Sequence, residues 1–371
     1  MNGIELLFLI ILLHIVISYN VVFMKSKNKL SSPSINMNKI IEYEIQNELT
    51  DRTIKFAHEL LERETCLNFT RVYTPSTSAT VIRKSKKCSA NAEIHNRKIY
   101  YYINVNDSCT ERDMIQRLIY WSIDMRYQIT KCLNKYGKME FLADSIIDLL
   151  THYYCEFVNP RETTVNINYN LLEFSGLKSQ KELGIDPSNL EQRDYSAEIS
   201  FRDVKSLNEN ICKNSCASKP CKNCKNYGYA NPRNCKTNIC PFFFDGTYCD
   251  KLMTPKRPDY CGDSSLTATS SKKIHVLDLN AECFYKIKSP SKSKKVRVKF
   301  TPIISSVHWD CKRYKILEIK YNTDKSKDGV MPCGKMIEFT VTGSKGTDVL
   351  IYHYKIAQEF KIKMEYQSVR S

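Results

Sequence analysis

Sixteen cysteines follow an apolar leader in this chain of 371 residues, and that combination limits the available folds more than any other feature. The leader opens on Met1-Asn2-Gly3, runs apolar from Ile4 to Ile17 with Glu5 and His14 interrupting, and exits through Ser18-Tyr19-Asn20. Its length fits a cleaved signal peptide over residues 1–18 better than a membrane span, which needs roughly 20 apolar residues. A signal anchor is the alternative, since Glu5 stands where a basic start is usual. No later stretch is apolar enough to cross a bilayer, so the mature protein is expected to be secreted, with no stable membrane span. In an oxidising compartment cysteines read as disulfides, and an even number permits full pairing without fixing the connectivity. Asn68-Phe69-Thr70 and Asn106-Asp107-Ser108 are glycosylation acceptors in that setting.

The formal charge is +16. Outside a cell the partners of such a surface are sulfated glycans, acidic proteins and anionic membranes, not nucleic acid. The densest clusters are Arg83-Lys84-Ser85-Lys86-Lys87 and the run Lys292, Lys294, Lys295, Arg297, Lys299. Most such runs are solvated faces, and a chain rich in Lys, Asn, Ile and Tyr generates them without any ligand.

Three segments follow a short leader at residues 19–36. The last, residues 261–367, carries two cysteine couples, Cys261 with Cys283 and Cys311 with Cys333. Alternating apolar runs surround them, at Val296–Phe300, Ile316–Ile319, Ile337–Val341, Val349–Tyr352 and Phe360–Met364. Period-two alternation broken by turn residues predicts an antiparallel β-sandwich. The segment resembles a CUB domain through Cys261-Gly262, the stretch Cys311…Tyr314…Leu317-Glu318-Ile319, and Cys333-Gly334. Many CUB domains hold calcium with an aspartate after that tyrosine. Here the position is Lys315, whose ammonium repels the ion, so no calcium is expected.

Residues 213–250 hold six cysteines between Cys216 and Cys249, with almost no apolar periodicity. A piece this small needs covalent staples. It resembles an EGF-like module through Asn226-Tyr227-Gly228-Tyr229, Asn231-Pro232-Arg233-Asn234-Cys235, and Cys240-Pro241 followed by Asp245-Gly246-Thr247-Tyr248-Cys249. That family's pattern implies Cys216–Cys224, Cys221–Cys235 and Cys240–Cys249. A zinc-binding cysteine cluster is the alternative, disfavoured by export.

Residues 37–212 suit one domain. Ile54 to Leu61 reads as an amphipathic helix with Ile54, Ala57, Leu60 and Leu61 on one face, and Ile99–Ile103 reads as a strand. Ser200 with Asp203 three positions on is a capping-box start for a last helix. In order, Ile41–Ile45, Thr65-Cys66-Leu67-Asn68-Phe69, Lys87-Cys88-Ser89, Cys109, Gln192-Arg193 and Ile199-Ser200-Phe201-Arg202-Asp203-Val204…Leu207-Asn208 resemble landmarks of the astacin family of zinc metalloendopeptidases. The order of peptidase, EGF-like and CUB segments is itself common in that family. The resemblance implies an α+β, metzincin-like peptidase fold followed by two disulfide-supported β modules. It also implies Cys66–Cys212 and Cys88–Cys109, leaving Cys132 and Cys155 as an extra pair.

The family's metal helix reads HExxHxxGxxH. Two histidines one helical turn apart bind zinc, the glutamate activates metal-bound water, and the glycine lets a third histidine close the site. Aligned on Ile115 and Leu118, the histidine positions hold Gln116, Tyr120 and Arg126. Arg117 replaces the glutamate and Ile123 the glycine. An amide is a poor zinc ligand, a tyrosine must ionise to bind, and a guanidinium brings positive charge toward the ion. Loss of the base leaves no group to take the water's proton. The pair His58-Glu59 lacks a second histidine and reads as surface, and Asp144 with Asp148 supplies no third ligand. Leu149-Leu150-Thr151-His152-Tyr153 resembles the family's Met-turn, with Thr151 in place of methionine and Tyr153 retained.

The expectation is therefore a secreted, astacin-like chain without an intact catalytic or metal site, needing no cofactor where the family uses zinc, and binding an extracellular protein or peptide. The alternatives are an active endopeptidase with a non-standard metal site built on Tyr153, His152 and the aspartates, and a basic extracellular-matrix adhesion protein that binds sulfated glycans through Lys292, Lys294 and Lys295.

Overall fold

The computed structural model describes residues 39–46, 51–74, 78–86, 88–95, 98–136, 165–166, 185–186, 199–216, 221, 223–303, 308–309, 315–356 and 360–370. The expected signal peptide, Asp144, Asp148, the stretch Leu149–Tyr153, Cys155, Gln192, Cys311 and Tyr314 lie outside these residues.

Six strands form the first sheet: β1 (Ile40–Ile45), β2 (Asn68–Arg71), β3 (Thr80–Lys84), β4 (Ser89–His95), β5 (Lys98–Val105) and β6 (Val165–Asn166), in the order β2-β1-β3-β5-β4-β6. The β1, β2, β3 and β5 pairings are parallel, whereas β4 runs antiparallel to both β5 and β6. Parallel neighbours need a crossover, and helix α1 (Asp51–Glu64) supplies it between β1 and β2. Its buried face is Ile54, Ala57, His58 and Leu61, spaced three, one and three residues apart as a helical stripe demands. Helix α2 (Arg112–Tyr136) packs on α1 and the sheet through Met114, Ile115, Leu118, Ile119 and Ile123. Helix α3 (Phe201–Asn210) starts at Ser200 with both halves of the capping box formed. Cys66–Cys212 ties the end of α1 to the end of α3 across a Cα separation of 5.6 Å, and Cys88–Cys109 joins β4 to the approach to α2.

The connector that follows contains two minimal hairpins, β8 (Tyr229–Ala230) with β9 (Asn238–Ile239), and β10 (Phe244–Asp245) with β11 (Lys251–Leu252). Its disulfides correct the expected pairing. In place of Cys216–Cys224 and Cys221–Cys235, the structure joins Cys221 to Cys224 and Cys216 to Cys235, and it joins Cys240 to Cys249. The Cys221-to-Cys224 turn brings its own ends to a Cα separation of 5.4 Å, within bridging range, and leaves Cys235 to Cys216 at 5.5 Å.

The C-terminal segment is a sandwich. One sheet has the order β12-β14-β20-β17, from β12 (Ser265–Thr267), β14 (Cys283–Lys288), β17 (Leu317–Lys320) and β20 (Val349–His353). The facing sheet joins β13 (Lys273–Asp278), β21 (Lys361–Arg370), β15 (Lys294–Pro302) and β19 (Phe339–Thr342), and the two-residue β7 (Ile185–Asp186) extends it beside β19. Inward residues Val296, Val298 and Phe300 of β15 meet Ile362, Met364 and Tyr366 of β21 in one continuous core. Cys261–Cys283 staples the entry to this core, and Cys333 is disulfide-bonded, its expected partner Cys311 lying outside the described residues. The expected Cys132–Cys155 pair falls on side chains outside them as well.

Phe242 and Phe243 of the connector pack against Phe284 and Tyr352 of the sandwich, with ring centroids 4.8 to 6.2 Å apart. Behind them Glu318, fully buried, sits 3.0 Å from Lys315 Nζ and 3.7 Å from Lys320 Nζ. Burial works to raise the Glu318 pKa, yet the two ammonium groups hold it below the ordinary range. Lys315 thus spends its charge on Glu318 and on the Phe242 ring face, 4.7 Å away.

Candidate functional site

Helix α2 carries Gln116, Arg117, Tyr120 and Arg126. Residues 116 and 120 lie one turn apart on one side of the helix. Residue 126 follows 116 by ten positions, a rotation of about 80° short of whole turns at ~100° per residue. Ile123, 1% exposed, sits within the core-facing stripe, and the helix runs unbroken past it to Tyr136. The three positions therefore do not converge on a point.

The four side chains are engaged in different places. Gln116 is 6% exposed on the core side. Arg117 Nη1 donates to Asp203 Oδ2 at 2.8 Å, and the two side chains are only 11% and 24% exposed. The same carboxylate oxygen accepts from Ser200 N and Ser200 Oγ at 2.9 Å each, so one atom serves both the α3 cap and the link to α2. The Tyr120 hydroxyl stands beside this carboxylate. Burial, then the negative charges of Asp203 and Asp124, push its pKa far up, which keeps it protonated. Asp124 is itself raised by burial.

Arg126 turns the other way, toward the sheet. Its Nη2 donates to Ser78 O at 2.8 Å and to Thr80 Oγ1 at 2.9 Å, and its guanidinium lies 3.8 Å from the Tyr101 ring centroid. Burial lowers its pKa to about 10, so it remains a cation at neutral pH. Two cations, an un-ionised phenol and an amide do not fit a divalent zinc ion. Among the described residues no cluster of three His, Cys, Asp or Glu side chains is arranged for a metal.

His58, read from sequence as a surface residue, is instead 4% exposed. Its ring stacks on Phe69 at 4.0 Å and tilts against Tyr43 at 4.6 Å, and burial drives its pKa down to about 3. The signal that places it inside was its helical spacing from Ile54 and Leu61. Sequence reasoning also missed Asp203 as the partner of Arg117, and Tyr101 as the platform for Arg126. Nothing local in the sequence marks either pair, which lie 86 and 25 residues apart. Tyr153, Thr151 and His152 lie outside the described residues.

The two glycosylation acceptors differ in setting. Asn68 is exposed at the edge strand β2, with its Oδ1 accepting from Arg233 Nη1 at 2.8 Å. Asn106 is half-buried, with its Nδ2 donating to Lys86 O at 3.0 Å.

No family model matches the chain. Among curated proteins it is 33% identical over 156 residues to zinc metalloproteinase nas-37 of Caenorhabditis elegans, covering 41% of this chain and 19% of that protein. It is 30% identical over 181 residues to zinc metalloproteinase nas-31 of Caenorhabditis elegans, 46% of this chain and 28% of that protein. Zinc metalloproteinase nas-34 of the same organism is 24% identical over 323 residues, 83% of this chain and 51% of that protein. The matches thus span between about a fifth and a half of these relatives' own length. Among solved structures, high choriolytic enzyme 1, a hatching enzyme zinc-protease from Oryzias latipes, is similar over 22% of this chain and 41% of that one at 21% identity and a TM-score of 0.19, a likeness too local to carry an argument. Over these stretches the chain is similar to proteins named zinc metalloproteinases.

Proposed function

We propose that this protein is a secreted, catalytically silent astacin-like chain that acts by binding extracellular protein or peptide, with an EGF-like connector and a CUB-like sandwich. One observation carries the reading. The position where the homologous helix places its water-activating glutamate holds Arg117, and that guanidinium is neutralised by Asp203 inside the fold rather than pointed at a substrate. A general base needs a lone pair within reach of the attacking water, and a guanidinium has none to give. Gln116, Tyr120 and Arg126 add no ligand set for zinc. The disulfides between described residues support the extracellular part of the reading.

The test is metal analysis of purified protein together with a broad peptide-library cleavage assay. Zinc far below one equivalent and no chelator-sensitive cleavage is the expected result. One equivalent of zinc with hydrolysis that a chelator abolishes would overturn the reading in favour of an active endopeptidase.

A further inference from the structure

Some lysines of the sandwich are paired with carboxylates and others are not. Lys286 pairs with Asp348 at 3.1 Å, Lys299 with Glu338 at 2.7 Å, Lys361 with Asp278 at 3.6 Å and Lys363 with Glu365 at 4.0 Å. Lys292, Lys294, Lys295, Arg297, Lys345 and Arg370 make no ion pair among the described residues.

Strand register and a packed turn bring this second group to one end of the sandwich. β15 and β21 run antiparallel with Lys294 opposite Arg370 and Arg297 opposite Gln367, so the start of one strand meets the end of the other. Val296 and Val298 point into the core, which sends Lys295 and Arg297 outward, about 7 Å apart along the strand. The turn after β19 folds onto the same rim. Gly343 N donates to Val296 O and Gly346 N to Lys294 O, at 2.8 and 2.7 Å. Gly346 has a φ of +67°, and a Cβ there would meet the Lys292 backbone at 2.8 Å, so the turn that carries Lys345 presses directly on the Lys292 turn. The other basic run of the sequence is not comparable: Arg83 donates to Asn104 Oδ1 and stacks on Tyr102 at 4.0 Å.

We propose that this rim of the sandwich is a binding site for sulfated glycan chains. Six cations without counter-charges, on a rigid frame of two strand ends and two packed turns, form a local positive field rather than a diffuse excess. Asp348, two residues after Gly346, is already paired with Lys286. No exposed aromatic side chain interrupts the six for a nucleobase to stack on, which speaks against single-stranded nucleic acid. No exposed apolar side chain lies among them to enter a lipid layer, which speaks against membrane insertion. The site is independent of Gln116, Arg117, Tyr120 and Arg126, so the zinc and cleavage results leave it untouched.

The experiment compares the full chain with two triple variants on immobilised heparin. Lys292→Gln, Lys294→Gln and Lys295→Gln remove three rim charges. Lys299→Gln, Lys361→Gln and Lys363→Gln remove three paired ones. By counterion release, the rim variant should bind about ten-fold or more weakly, with the slope of log affinity against log salt reduced by about two to three. The second variant should shift far less. Equal shifts for both variants would reduce the effect to net charge and overturn the site, as would no retention at physiological salt, retention on fully desulfated heparin, or tighter binding to phosphatidylserine vesicles. Lysine-acetylation footprinting of the wild-type chain gives a readout that does not depend on variant folding. Heparin should protect Lys292, Lys294 and Lys295 and leave Lys361 and Lys363 reactive, and the reverse pattern would overturn the proposal.

Discussion

At residue 117 a guanidinium is held inside the fold, between α2 and the start of α3. Arg117 and Asp203 satisfy each other at 2.8 Å. A glutamate at 117 would set two carboxylates against one another, so this position does not accept an acidic side chain without a second change at Asp203. His58 shows a second consequence of burial. Its folded pKa is about 3 against 6.5 in the unfolded chain. Between those values the unfolded state binds a proton that the folded state refuses. Its neutral ring therefore costs nothing above pH 6.5, and stability declines as pH falls below that value, by about 2 kcal/mol at pH 5. His58→Leu should remove that component, so the difference in unfolding free energy from urea titration between wild type and variant should change by this amount between pH 7 and pH 5. A pH-independent difference would mean that His58 titrates normally. The sequence contained this burial in its spacing, since residues 54, 57, 58 and 61 form one stripe. The Arg117–Asp203 pair was hidden because its partners meet only after two helices dock.

Among the elements, α2 most clearly separates what is legible from what is not. The apolar period of Ile115, Leu118 and Ile119 marks a helix in sequence, and the capping box at Ser200 marks the start of α3. How far α2 continues depends on residue 123. A glycine there would expose backbone and permit a turn, whereas Ile123 fills core space at 1% exposure and carries the helix through. Ile123→Gly should cost about 3–5 kcal/mol, from a cavity plus ~1 kcal/mol of lost helix propensity, with Ile123→Ala recovering the propensity part alone. Urea denaturation of the two variants measures both terms, and a cost below ~1 kcal/mol for the glycine variant would show that the helix end is not held by this residue. Strands in the sandwich were equally legible from their alternation. The connector's disulfides were not, because six cysteines in a segment without apolar periodicity leave connectivity to turn geometry, and the Cys221-to-Cys224 turn closes on itself.

At the scale of the whole molecule, the connector is the piece that the other two share. It meets the sandwich through Phe242 and Phe243, and it meets the first sheet unit most extensively through Arg233. The last turn of a helix leaves carbonyl groups without intrahelical partners. At the end of α1, Arg233 Nε donates to Glu62 O and Thr65 O at 2.7 Å each, Nη2 donates to Leu67 O, and Nη1 donates to Asn68 Oδ1. A guanidinium from another module thus caps the helix, and its positive charge faces the negative end of the helix dipole. Lys205 reinforces the contact from α3, donating to Tyr227 O at 3.0 Å. Arg233→Ala should cost about 1–2 kcal/mol and free the connector from α1, seen as faster proteolytic cleavage near residues 212–221 with the disulfides intact. Arg233→Lys should recover only part of the protection, because one ammonium cannot reach four acceptors spread along the chain end. If the alanine variant is cleaved no faster than the wild type, contacts such as Lys205 to Tyr227 O and Phe201 against Tyr229 hold the modules, and the guanidinium cap contributes nothing to their docking.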